Sequence, residues 1–193
     1  MTEKPPTMLL TADFDINQVG ADLEWRFSRK DHNGKPLEGK DAGSIYFTKG
    51  EAMFVHVSGG GKPGLDGQDP FTGFRVLDCV LISRPQLSLY GPGLLTEFSP
   101  PSPFVCTKGG GGKNATINLD ADKFQPWIGG KPKPGYYQVT QTWDDQLLVG
   151  QVEGRWELSF VITVEISWAD GRVTERVFGF DPEGSVGTGM NPP

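Results

Sequence analysis

Between Trp156 and Trp168 apolar and polar residues alternate, with Val161 the one exception. Trp156, Leu158, Phe160, Ile162, Val164, Ile166 and Trp168 share one face, and Glu157, Ser159, Val161, Thr163, Glu165 and Ser167 share the other. Such a period of two predicts a β-strand buried on one side, because successive side chains leave a strand in opposite directions. Asp170-Gly171 follows, a dipeptide that accepts the positive φ angles of a two-residue type I′ turn. That turn predicts a hairpin with residues 172–180 in which Trp168 faces Val173, Val164 faces Val177 and Glu165 faces Arg176. In this register Val161, Phe178 and Phe180 fall on the nominally polar side. Apolar groups there predict a cover, either a loop such as residues 85–103 or a second copy of the chain in a homodimer.

The same pattern predicts short strands at 8–12, 23–28, 44–48, 52–58, 115–119 and 136–143, with 146–152 leading into the hairpin. Lys49-Gly50 reads as a hairpin connection between the third and fourth of these. Residues 74–83 are mostly apolar on both sides, with Arg75 and Asp78 as the charged exceptions, which predicts a central strand. Residues 30–43, 59–73, 85–103 and 108–113 are rich in Gly, Pro or Asp and read as loops. Residues 120–134 fit no element, and 181–193 reads as an irregular tail, frayed from 184. No helical period appears. The fold class is therefore all-β: a single antiparallel β-sandwich domain over 1–193, jelly-roll-like in its many short strands.

Composition narrows the function. The 193 residues include 27 Gly and 16 Pro, scattered among strand-like runs as in a loop-rich β protein. With 24 acidic against 18 basic side chains the net charge is −6, which disfavours nucleic acid as a partner. The opening MTEKPPTMLL lacks the apolar core of a secretory signal, and no run approaches the roughly 18 apolar residues of a membrane span. The expected location is cytoplasmic, with no membrane partner. Cys79 lies in an apolar run and is expected as a buried free thiol; a disulfide to Cys106 is the alternative in an oxidising compartment.

Candidate chemistry is sparse. The glycine tract before Lys113 is not a phosphate loop, because Thr107 stands where glycine is required and Asn114 where Ser or Thr is required. Asp13, Asp15, Asn17 and Glu24 occupy the first, third, fifth and twelfth positions of a calcium-binding EF-hand loop, so Ca²⁺ is the one cofactor suggested. Gln18 takes the place of the turn glycine, however, and the flanks read as strands, so an acidic turn is the simpler account. His32 and His56 sit in no nucleophile or zinc motif, and no catalytic residue is assigned.

Aromatics are more suggestive. Trp127 and Trp143 lie near loops beside Tyr136 and Tyr137, with Asp144, Asp145 and Asn114 as polar companions. A ring against the apolar face of a pyranose, with carboxylates and amides on its hydroxyls, is how proteins hold sugars. Alternation of Tyr137, Val139 and Trp143 is also what a buried strand looks like, and rings in the core are the simpler account. Two function classes follow: a non-enzymatic glycan-binding protein, or a glycoside hydrolase-like enzyme with a carboxylate pair from Asp66, Asp69, Asp144 and Asp145.

Three segments resemble a known family. MLLTADFDIN at 8–17 is similar to the first strand and acidic turn of the AidA/PixA inclusion-body proteins. SIYFT at 44–48 falls where that family has a short aromatic strand, and 156–182 resembles its last hairpin, closing on Phe180-Asp181-Pro182. Residues 59–134 carry no part of the likeness. The resemblance implies a β-sandwich of a bacterial cytosolic protein, tied to stress- or density-dependent expression and sometimes to inclusion bodies. Sugar binding has been attached to some members, and the likeness implies no catalytic residues.

Overall fold

The computed structural model describes residues 7–30, 36–37, 44–61, 70–85, 100–106, 114–127, 135–151, 154–180 and 183–187. Two sheets face each other across one apolar core. The first contains β1 (Thr7–Asp15), β2 (Glu24–Lys30), β3 (Pro36–Leu37), β5 (Ala52–Gly61), β7 (Phe104–Cys106), β9 (Phe124–Pro126), β10 (Tyr137–Trp143) and β11 (Leu147–Val149). Its main path runs β3-β2-β1-β5-β10-β9, with β11 and β7 continuing beside the start of β5. The second contains β4 (Ser44–Thr48), β6 (Phe71–Pro85), β8 (Thr116–Asn118), β12 (Gly154–Trp168), β13 (Val173–Phe180) and β14 (Glu183–Gly187). Its order is β4-β14-β12-β6-β8, with β13 also on β12. Among the described residues, no helix is long and apolar enough to cross a membrane.

The all-β sandwich expected from the alternation is therefore present, but its sheets are mixed. β1 runs parallel to β5, and β4 runs parallel to β14. Both pairs join strands distant in sequence, as parallel pairing demands. Lys49-Gly50 does not make a hairpin either: β4 and β5 lie in different sheets, and the turn carries the chain across the sandwich. Gly50 takes φ +75 there, Glu51 N–H donates to Thr48 O (3.0 Å), and the buried Glu51 carboxylate accepts from Thr48 N–H (2.9 Å). The expected tail also departs from expectation, since Glu183–Gly187 form a strand between β12 and β4.

β12 buries the face the sequence assigns to it: Trp156, Leu158, Phe160, Ile162, Val164 and Ile166 are all in the core. β13 does not pair as expected. Ser167 lies opposite Val173, Thr163 opposite Val177, Val164 opposite Arg176 and Glu165 opposite Glu175. The cause is the loop. Trp168 O accepts from Gly171 N–H (3.0 Å) and Trp168 N–H donates to Arg172 O (3.0 Å), with Gly171 at φ +84. This is a three-residue loop with its glycine in the left-handed position, not a two-residue turn. A one-residue slip moves every side chain of a strand to the other face. Phe178 is consequently 1% exposed, whereas Val173 and Val177 are 57% and 56% exposed. Glu165 pairs instead with Arg75 on β6 (3.2 Å).

The correct register builds a chain of rings through the core. Phe160 stacks on Phe180, Phe180 on Trp25, and edge-to-face contacts continue through Phe27 and Phe47 to Phe104. It passes from β12 and β13 to β2, β4 and β7, so it ties both sheets together. Along another margin the core-side residues of β10 cap β6: Gln141 Nε2 donates to Phe74 O (2.6 Å) and Tyr137 OH donates to Thr72 O (3.3 Å). The loop proposed as a cover for β12 lies outside the described residues from 86 to 99. Its end packs inward, where Pro100 O accepts from Trp156 Nε1 (3.0 Å) and Pro101 O from Ser83 Oγ (2.9 Å).

Three consecutive glycines, expected in a loop, end β5 instead. A Cβ on Gly59 would stand 2.4 Å from the Phe14 ring, one on Gly60 2.4 Å from the Tyr136 ring, and one on Gly61 2.5 Å from Ile16. Side chains from both faces press directly on this backbone, so only glycine fits.

Candidate functional site

Two strand periods create a polar face on the outer side of the first sheet, within which Thr11 and Ser58 are buried. Met8, Leu10, Ala12 and Phe14 of β1 point to the core, which leaves Thr11, Asp13 and Asp15 outward. Met53, Val55 and Val57 of β5 likewise leave Phe54, His56 and Ser58 outward. Pairing then sets Glu24, Asp13, Ser58 and Thr140 in one row across four strands. The next row holds Arg26, Thr11, His56 and Thr142.

Aromatic rings border these rows. Trp127 N–H donates to Thr140 O (2.9 Å), and the indole reaches across β10 to His56, with ring centroids 5.1 Å apart. Trp127 remains 43% exposed. Beneath this side of the surface, Ser58 Oγ and Thr140 Oγ1 are 2.8 Å apart. On the other side Tyr136 lies over Gly60 and its hydroxyl donates to Asp15 Oδ2 (3.2 Å). Burial lowers the His56 pKa below 6.5, so the imidazole is neutral at pH 7.

Tyr136 reports on the carboxylates around it. Burial, the charge of Asp15, the hydrogen bond to Asp15, and the charges of Asp13 and Glu24 together raise its pKa from 10.0 to about 12. Because the folded value exceeds the unfolded one, this contribution to stability is complete below pH 10.0 and fades as pH rises toward about 12. Phenolate absorbance should show one tyrosine titrating late, and Asp15→Asn should bring that titration down. An unchanged midpoint would contradict the contact.

The acidic turn is closed by the chain itself. Asp15 Oδ1 accepts from Asn17 N–H (2.8 Å), and Gln18 Oε1 accepts from Asp15 N–H (2.9 Å). Gln18 Nε2 donates to the carbonyls of Gly20 and Asp22. Gln18, the residue that spoils the EF-hand pattern, is thus the one that organises the turn. Arg176 adds a guanidinium, donating to Ile16 O (3.4 Å) and Gly20 O (3.2 Å) while it stacks on Phe178. Two carbonyls of the turn thus face an arginine. Among the described residues no group of three His, Cys, Asp or Glu side chains is placed to hold a metal ion.

The other sequence candidates scatter. Trp143 is 6% exposed and lies in the core, where its ring is closed to any ligand. Asp145 bonds Lys123 Nζ (3.2 Å) and Gln146 N–H (2.9 Å) in the short break between β10 and β11. Asp144 is exposed in the same break, about 13 Å along β10 from the Trp127 contact at Thr140. Asn114 precedes β8 at the margin of the second sheet, where the next residue's carbonyl accepts from Ser83 N–H. Asp66, Asp69 and His32 lie outside the described residues. Cys79 is a free, buried thiol whose pKa is pushed up by burial and by Asp78.

His56, Ser58 and Thr140 were not singled out by the sequence, although the alternation of 53–58 marks His56 and Ser58 as outward. Their meeting with Asp13 depends on the parallel pairing of β1 with β5, which no local pattern encodes. Comparison of the chain with protein-family models, curated proteins and solved structures gives no match.

Proposed function

We propose that this is a non-enzymatic binding protein whose outer sheet face takes a carbohydrate, in keeping with the stress- or density-associated inclusion-body proteins that its termini resemble. The observation that carries this reading is Trp127: a half-exposed indole, steadied by His56, beside a surface of hydroxyls and carboxylates. The ring covers the apolar side of a pyranose, and Asp13, Asp15 and Thr140 are acceptors and donors for its hydroxyls. Trp143 drops out of the proposed site, and Asp144, Asp145 and Asn114 lie away from it.

A glycan array with the full chain tests this directly. Trp127→Ala should weaken the retained sugar at least about tenfold, or about 1.4 kcal/mol, while the far-ultraviolet spectrum stays unchanged. Retention unaffected by that substitution would remove Trp127 from the site. Hydrolysis of the bound sugar would replace the binding reading with the hydrolase one.

A further inference from the structure

The outer face of the second sheet combines exposed apolar residues with an ordered pattern of charge. Along β12 it presents Glu157, Ser159, Val161, Thr163 and Glu165; opposite them on β6 stand Arg84, Ile82, Val80, Asp78 and Arg75. Val161 pairs with Val80 in the middle, and Ile82 and Val161 are 39% and 36% exposed. Val177 extends the apolar strip onto β13, opposite Thr163. An ion pair bounds the strip at each end: Arg84–Glu157 at 3.1 Å and Arg75–Glu165 at 3.2 Å. In both, the arginine belongs to β6 and the glutamate to β12.

We infer that this face packs against a second copy of the chain, about a two-fold axis running along the strands between β6 and β12. Such an axis exchanges the two strands across the contact. Arg75 then lies over Glu165 of the second copy, Arg84 over its Glu157, and Val80 over its Val161. The four ion-pair charges each meet their opposite and the apolar centre meets itself, the self-complementarity that a two-fold contact needs, while Asp78 falls over the uncharged Thr163 of the second copy. Moving the axis onto β12 would set Glu165 against Glu165, so the charge pattern selects one arrangement.

Four strands about 4.8 Å apart and eight residues about 3.4 Å apart give a contact of about 500 Å² per copy. That is below the roughly 800 Å² of a standard interface, so the dimer is weak and salt-sensitive.

Sedimentation equilibrium of the full chain over a range of concentrations should show mass rising above 21.0 kDa toward twice that value. Val161→Glu should hold the chain at the monomer mass with its melting temperature unchanged, since the position is exposed. The part played by the charges is tested by charge swapping. A variant with Arg75→Glu and Arg84→Glu carries only acids at these positions, and one with Glu157→Arg and Glu165→Arg carries only bases. Each alone should be monomeric, whereas an equimolar mixture should associate and separate again in high salt. A monomer at every concentration would overturn the inference, as would association that persists in Val161→Glu. A mixture that fails to associate would overturn the charge-paired contact.

Discussion

Phe160→Ala is expected to lower the unfolding free energy by about 3–5 kcal/mol, the range for emptying a buried aromatic site. Phe160 is fully buried and stacks on Phe180 at a centroid distance of 5.2 Å, so the deletion opens a hole at one end of the ring chain. Its neighbours belong to long strands and cannot collapse into the space without disturbing both sheets. Five residues along the same strand, Glu165→Ala removes only the half-buried partner of the exposed Arg75 and should cost no more than about 1 kcal/mol. Urea unfolding of both variants decides it, with the slope unchanged and the midpoint shifted far more for Phe160→Ala. Equal shifts would mean that the buried side of β12 is misassigned.

Gly59→Ala should be among the most damaging methyl additions at the described glycines. The added Cβ would lie 2.4 Å from the Phe14 ring, which is itself held between Phe178 at 4.8 Å and Phe74 at 5.1 Å. Overpacking of this kind costs about 1–3 kcal/mol, and the rigid ring places Gly59 at the upper end. Gly73→Ala supplies the control within β6, because nothing lies within 4 Å of its Cβ position. There alanine should be neutral or stabilising by up to about 1 kcal/mol, since it restricts the unfolded chain. Combining Gly59→Ala with Phe14→Leu should recover part of the loss, and the double-mutant cycle measures how much. Additive effects would separate the glycine from the ring.

Much of the scaffold is written in local pattern. β12 reads directly, because seven alternating apolar positions leave a single choice of face. β13 is ambiguous for a definable reason. Val173 and Val177 lie on one face, Phe178 and Phe180 on the other, so both readings bury two apolar groups. Asp170-Gly171 does not resolve the choice, because a glycine at positive φ serves a two-residue turn and a three-residue loop alike. The bulk of the phenylalanines, together with Trp25 and Phe14 waiting across the core, decides it. Residues 59–61 were legible as glycine but not as strand, since the reason for glycine lies in Phe14, Tyr136 and Ile16 far away in the chain.

The candidate site was legible only in part. Trp127 could be marked as an aromatic near loops, yet Trp143 carried the same mark and belongs to the core. The alternation of Tyr137, Val139 and Trp143 pointed inward, whereas no comparable pattern around Trp127 says which way its ring turns until the neighbouring strand is known. The acidic turn shows the reverse case. Its oxygen-bearing residues suggested a metal, but the group that approaches its carbonyls comes from Arg176 on the last hairpin.

The glycine run of β5 also has a genetic consequence. Any missense change of one base in a glycine codon introduces a side chain, because no other residue lacks a Cβ. Three adjacent codons, 59–61, therefore have no conservative neighbour in mutational space, and each replacement strikes a different packed group. A saturation scan of the gene should find an unbroken gap in tolerated variation there, ending before Gly73, and its cause is the closeness of side chains rather than the bending of the chain.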